Sequence, residues 1–322
     1  MKRVVAAAEI GGTKLQLALV TPEGEVLAVH RGRAPEGGAD PILAWFAAET
    51  PAFLARAAEF DAEVATIGIG YGGPVDTSTG RVFASFQVSG WRDRPLQAWF
   101  EELTGLPAVL HNDSNAAGWA EYRAGAGRGT RSFFYTNIGS GIGGAIILNG
   151  ALYNGQGLGA GEMGHTWVPD FTRTDVPGAA EKVENLCSGW SIERRLRARG
   201  ALPEGSPLDR ACEGRPERIT CAMLGPAARA GDAIALAEIE QVAGTIAIAL
   251  ANVITLFQPE RVAVGGGVAL LGDVLLEPLR RRVAELVFDP CRGRYEIVPC
   301  ALGEAVVLVG AALLAAEAQG IG

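Results

Sequence analysis

The chain repeats one local pattern, and that repetition limits what it can become. A short apolar strand runs into a glycine-rich turn and leaves along a second apolar strand. The first copy is Val4–Ala8, then Glu9-Ile10-Gly11-Gly12-Thr13-Lys14, then Leu15–Val20. The second is Ser132–Ile138, then Gly139-Ser140-Gly141-Ile142-Gly143-Gly144, then Ala145–Leu148. Glycine turns let bare backbone N–H groups approach an anion. Either turn alone would be an ordinary hairpin, and Lys14 alone an ordinary exposed lysine. Paired, with Thr13 and Lys14 beside the first, the turns point to two similar lobes gripping a polyphosphate.

The remaining pattern is a duplicated α/β fold. Further strands are expected at Val26–Arg31, Val64–Gly70, Ala108–His111 and Arg261–Val264, the last running into Gly265-Gly266-Gly267. Helical spacing of apolar residues covers 41–60, Leu96–Thr104, 115–123 and 232–257. At 322 residues the chain is long enough for two domains. Two G-x-G-x-x-G strings occur, Gly68/Gly70/Gly73 and Gly139/Gly141/Gly144. Neither opens a helix, so neither reads as a dinucleotide site.

Charge and composition exclude other classes. The formal net charge is −8, which offers no basic face for nucleic acid. The apolar stretch 305–316 is too short to span a bilayer, and no apolar leader precedes the first strand. The five cysteines are odd in number and unclustered, which suits reduced thiols in a cytoplasmic protein. No membrane partner and no nucleic-acid partner are expected.

Polar residues at element ends supply candidate chemistry. Asn112-Asp113 stands between a strand and a helix. Both residue types are preferred helix caps, but an Asp at such a corner can also accept a proton from a sugar hydroxyl. Glu162 and His165 flank Met163-Gly164 on a glycine-bordered segment, and Glu184 follows downstream. Acceptors and donors of this kind are what a polyol ring needs. The other histidines, His30 and His111, read as structural.

The ordered motifs Glu9–Lys14, Gly72-Gly73-Pro74-Val75-Asp76, Asn112–Ala117, Ile138–Gly144 and Gly161–His165 resemble those of the ROK family of repressors, open reading frames and sugar kinases. The resemblance covers nearly the whole chain. It implies an actin-like/hexokinase-like (ribonuclease H-like) two-lobe fold with the substrates in a cleft between lobes. The small lobe would be 1–118 plus a C-terminal helix at about 304–322, the larger lobe 119–303. It implies transfer of the ATP γ-phosphoryl to a hexose hydroxyl, commonly O6, with Asp113 as general base. Implied sugar contacts are Gly73, Gln87, Asn112, Asp113, Glu162, His165 and Glu184. Implied nucleotide contacts are Gly11, Gly12, Thr13, Lys14, Gly139, Ser140, Gly141, Gly265, Gly266 and Gly267. Mg²⁺ would be met by Glu9 through water, and a homodimer is usual.

Three departures stand out. Glu9 replaces the usual Asp, and Gln87 an Asn often near the sugar. Where the family carries a cysteine-rich zinc string, this chain reads Asp175–Glu184 without a cysteine. A structural zinc needs soft thiolates, so no zinc is expected. A non-catalytic sugar sensor and a polyphosphate-dependent kinase remain alternatives. A repressor, which needs an added helix-turn-helix, is not expected from a first strand at Val4. Elemental analysis of purified protein is expected to find zinc far below one equivalent per chain; about one equivalent would contradict the reading.

Overall fold

Strand β1 (Lys2–Ile10) is buried at every position from Val4 onward, which requires both faces of its sheet to be covered. The computed structural model describes residues 1–85 and 88–321, so Gln87 lies outside it. β1 pairs antiparallel with β2 (Lys14–Val20), and β2 with β3 (Val26–Arg33). It pairs parallel with β4 (Ala62–Tyr71), which pairs parallel with β7 (Ala108–Asn112). The sheet order is β3-β2-β1-β4-β7. The short strands β5 (Val75–Asp76) and β6 (Arg81–Val82) form a separate hairpin.

Alternation along β1 sorts its side chains onto two faces. Val4, Ala6, Ala8 and Ile10 join Ile42, Phe46 and Phe53 of α1 (Ala39–Ala55) and Leu96 and Phe100 of α2 (Leu96–Thr104). Val5 and Ala7 join Ala116 of α3 (Asp113–Ala124) and Leu308, Ala311, Ala312 and Ala315 of the C-terminal helix, α10 (Val306–Ala318).

That second layer is close. A Cβ on Gly68 would lie 2.0 Å from the Ala311 carbonyl oxygen, and one on Gly310 would lie 1.8 Å from that of Ala116. Gly68 and Gly70 are therefore needed for helix packing, which explains a G-x-G string that leads into no helix.

The second sheet repeats the order of the first. It runs β10 (Ala151–Tyr153), β9 (Ile142–Leu148), β8 (Phe133–Ile138), β13 (Arg261–Gly265) and β14 (Glu296–Pro299). β13 is parallel to both β8 and β14. The turn is shorter than the glycine count suggests, since Gly143 and Gly144 lie inside β9. A Cβ on Gly144 would meet the Gly161 and Tyr135 carbonyl oxygens at 2.5 and 2.8 Å, so this glycine serves a close backbone approach.

A further strand pair, β11 (Trp167–Pro169) and β12 (Ala180–Lys182), precedes α4 (Val183–Cys187) and α5 (Gly189–Ala198). Then follow α6 (Pro207–Ala211), α7 (Cys221–Arg229), α8 (Ala233–Phe257) and α9 (Asp273–Leu286). Asp232 caps α8 by accepting from the Ile234 and Ala235 amides. By length and composition α8 could cross a membrane, but it packs on α4, α7 and α9 within the fold. Cys187 is buried with its Sγ 3.8 Å from the Val242 carbonyl of α8.

The chain divides into two compact units. One is Met1–Gly129 with Ala145–Ala160 and Ala301–Gly322; the other is Thr130–Gly144 with Gly161–Cys300.

The Gly310 contact can be tested by substitution. Gly310→Ala should lower unfolding free energy by about 1–3 kcal/mol or more in urea melts, as overpacked sites do. Gly303→Ala, where a Cβ meets nothing within 4 Å, should stay within about 0.5 kcal/mol of wild type.

Candidate functional site

Parallel pairing brings separated motifs to one sheet end in the first unit. Ile10 is in register with Tyr71, and Tyr71 with Asn112. The carboxyl ends of β1, β4 and β7 therefore sit side by side, where open α/β sheets usually bind ligands. The Gly72 amide donates to the Ile10 carbonyl at 2.8 Å. A Cβ on Gly72 would lie 3.4 Å from Asp113 Oδ2 and 3.6 Å from Gly11 Cα, so Gly72 leaves room between the turn and the acid.

Asn112 and Asp113 divide the work at this corner. Asn112 Oδ1 caps α3, accepting from the Ser114 and Asn115 amides at 2.9 and 3.0 Å. Its Nδ2 donates to the Gly73 carbonyl at 3.1 Å, tying the cap to the β4 turn. Asp113 is half-buried, and its Oδ1 accepts from the Ser114 amide at 2.6 Å and the Ser114 hydroxyl at 3.2 Å. Its carboxylate is thereby fixed in direction at a helix start, where negative charge is favoured.

The turn after β1 is closed by the Gly11 amide donating to the Lys14 carbonyl at 3.0 Å. Glu9 sits opposite Gln16 across the hairpin. Gln16 Nε2 donates to Glu9 Oε2 at 2.6 Å, and Arg31 Nε donates to Gln16 Oε1 at 2.9 Å. Lys14 Nζ lies 3.4 Å from Glu9 Oε1. Burial raises the Glu9 carboxyl above its ordinary range, Lys14 and Gln16 oppose that, and Glu304 adds to it.

This donor set is a single carboxylate with both oxygens already facing protein donors. It suits water-mediated contact with a phosphate-borne Mg²⁺, an ion that keeps much of its hydration, better than direct ligation. Among the described residues no group of three or more His, Cys, Asp or Glu could hold a metal.

The remaining histidines of this unit sit in structural roles. His111 is shielded on β7, and burial pushes it down to about 4. His30 stacks on Trp45 and pairs with Glu49 at 3.0 Å.

In the second unit the same logic operates at the ends of β8 and β13. The Gly139 amide closes the turn onto the Gly141 carbonyl at 2.8 Å. Gly265 is in register with Asn137, and the Val268 amide donates to the Ile138 carbonyl at 2.8 Å. Gly265–Gly267 thus lies beside Gly139–Gly141. Gly266 has φ +84°, and a Cβ there would lie 2.5 Å from the Ile138 oxygen.

Glu162, His165 and Glu184 form one electrostatic group. Burial raises the Glu162 carboxyl, with His165 opposing and Glu184 reinforcing. Met163–His165 is a single 3-10 turn pressed against β9, where a Cβ on Gly164 would lie 2.1 Å from the Ile142 oxygen.

Sequence reasoning missed Gln16 and Lys182. Lys182 pairs across its strands with Trp167, and its Nζ lies 3.3 Å from His165 Nδ1. An ammonium can only donate, so Nδ1 accepts and the neutral ring carries its proton on Nε2. A lysine in the stretch without cysteines thus meets the imidazole. The signal for Gln16 was the hairpin register; Lys182 carried none, because its partner strand is only three residues long.

The ROK family model matches residues 5–318. Among curated relatives, the glucokinases of Streptomyces coelicolor and Thermotoga maritima are each 33% identical, over 316 and 314 residues. The first alignment covers 96% of each chain and the second 97%. A solved structure of a ROK family glucokinase from Streptomyces griseus, in complex with glucose and AMPPNP, superposes with TM-score 0.81 at 32% identity. That match covers 98% of this chain and 99% of the other.

The Lys182 contact predicts the His165 tautomer. In a long-range ¹H–¹⁵N spectrum above pH 8, neutral His165 should be protonated on Nε2. Lys182→Met should weaken that preference; a dominant Nδ1–H form in wild type would contradict the geometry.

Proposed function

This chain belongs to the ROK family, and we propose that it is a sugar kinase that transfers the γ-phosphoryl group of ATP to O6 of a hexose, with Asp113 as general base. The observation that carries this reading is the placing of Asp113 at the carboxyl end of β7, anchored through Oδ1 by Ser114 and set against the Gly72 edge. The glucokinase relatives support a sugar acceptor, and the AMPPNP complex of a relative supports ATP as donor.

Asp113 would accept the proton of the attacking hydroxyl as the sugar oxygen bonds to phosphorus. The bond between phosphorus and the bridging oxygen breaks, and its electron pair leaves on ADP. General-base help of this kind is worth about 10²–10⁴-fold, and the loose transition state puts equal weight on positioning and charge neutralisation. Gly12, Thr13 and Lys14 in one turn and Gly139, Ser140 and Gly141 in the other would meet phosphate oxygens. Gly11 shapes its turn, and Gly265–Gly267 would lie near the adenosine. Mg²⁺ would supply phosphate charge neutralisation, and Glu9 would meet its hydration shell.

Gly73, Asn112, Asp113, Glu162, His165 and Glu184 would contact the sugar. The Nε2 proton of His165 would be its donor, and the carboxylates would accept from hydroxyls. Lys182 would orient the imidazole through its contact with Nδ1.

ADP release measured across a panel of hexoses and N-acetylhexosamines tests the reading. Wild type should turn over at least one hexose. Asp113→Asn should lower kcat by about 10²–10⁴-fold, with a much smaller change in sugar affinity. An Asp113→Asn protein as active as wild type would remove Asp113 from the role of base. Hexose binding without any turnover would instead support a sugar sensor.

A further inference from the structure

The second unit ties a sugar-side carboxylate to the glycine turn through one hydrogen bond. The amide of Ile142, the first residue of β9 after the turn, donates to Glu184 Oε2 at 2.8 Å. A Cβ on Gly141 would lie 2.7 Å from that same oxygen and 3.6 Å from its carboxyl carbon. The space Gly141 leaves empty is therefore the space that lets Glu184 reach the turn. The other side of the turn is tied to the same short segment, since the Gly189 amide donates to the Gly139 carbonyl at 2.7 Å. Glu184 lies on α4 and Gly189 begins α5, so Gly139–Ile142 is held at both ends by residues 184–189.

We propose that Glu184 is a positioning residue for the phosphate-binding turn as well as a sugar ligand, so that a hexose bound at Glu184 tightens nucleotide binding at Gly139–Gly141. The proposal rests on the reading of Glu184 as a sugar contact and of the turn as a phosphate contact. The coupling is local. A carboxylate has lone pairs for both an amide and a sugar hydroxyl. A hydroxyl that fixes one oxygen of Glu184 restricts the rotamers of the side chain holding Ile142. The turn then loses less freedom when phosphate arrives, which is positive coupling through ordering. By linkage the nucleotide tightens the sugar by the same factor.

The reach of Gly141 gives a test on the other side of the link. Gly141 has no positive φ, and the obstacle to a methyl there is the end of a flexible side chain. Gly141→Ala should push the Glu184 carboxylate aside and leave the turn's path intact. A substitution in the phosphate turn would then weaken sugar binding.

The experiment is calorimetric titration of the full chain with D-glucose and with AMPPNP·Mg²⁺, each alone and in the presence of the other. In wild type, glucose should tighten AMPPNP by about fivefold or more, the lower end of ordinary coupling. Gly141→Ala should weaken glucose binding by a similar factor. Glu184→Ala should weaken AMPPNP binding even without glucose. Glu184→Gln, whose amide oxygen can still accept from Ile142, should keep that affinity near wild type.

Unchanged glucose affinity in Gly141→Ala, alongside weakened glucose binding in Glu184→Ala, would overturn the link and leave Glu184 as a sugar ligand. Unchanged AMPPNP affinity in Glu184→Ala would overturn the positioning role. Unchanged glucose affinity in both Glu184 variants would overturn the underlying sugar-ligand reading, and the proposal with it.

Discussion

The close seat of α10 on β4 and α3 is the contact on which the first unit depends. Its backbone approaches are possible only because Gly68 and Gly310 lack side chains. With α10 in place, the odd-numbered residues of β1 are covered and the sheet can be apolar on both faces. The entry to α10 is fixed as well. Glu121 of α3 is fully buried, and its carboxylate accepts from the amides of Ala126, Ala301 and Leu302 at 2.8, 3.1 and 2.7 Å. A buried charge is tolerable when backbone donors satisfy it in this way. α3 is thereby clamped from two sides, and its first residue is Asp113. The helix that begins at the candidate base is thus seated by packing well away from it, while Ser114 fixes the direction of the carboxylate.

The two sheets share one order. An antiparallel meander provides a hairpin whose turn can meet phosphate, and parallel strands added at its edge bring further loops to the same end. In the first unit those loops carry Gly72 and Asn112-Asp113. In the second they carry Gly265–Gly267. The polar candidates are therefore neighbours by strand register, although they are far apart in sequence. Local tuning follows from nearby donors: Gln16 and Lys14 of the facing strand hold Glu9, and Lys182 meets His165 beside its strand pair.

Much of this was legible from sequence for a physical reason. Strands, glycine turns and caps are local patterns, so β1, β2, α2 and the Asn112 cap follow from residues within a few positions of each other. Close approaches are not local. Gly68 and Gly70 fit a nucleotide-binding string on paper, and only the helix that packs on them, from the far end of the chain, explains why they are glycines. Gly144 looked like part of a turn because nothing nearby shows that the Gly161 and Tyr135 carbonyls press against it. The contact of Lys182 with the imidazole depends on a strand pair too short to read from alternation.

The central claim is that these turns and acids serve phosphoryl transfer to a sugar hydroxyl. The most direct measurement is ³¹P NMR of the protein incubated with Mg·ATP and D-glucose. The account predicts a growing sugar phosphomonoester signal, coupled to the C6 protons, in step with ADP. ADP accompanied only by inorganic phosphate, or a phosphoryl group appearing on a different sugar oxygen, would contradict it.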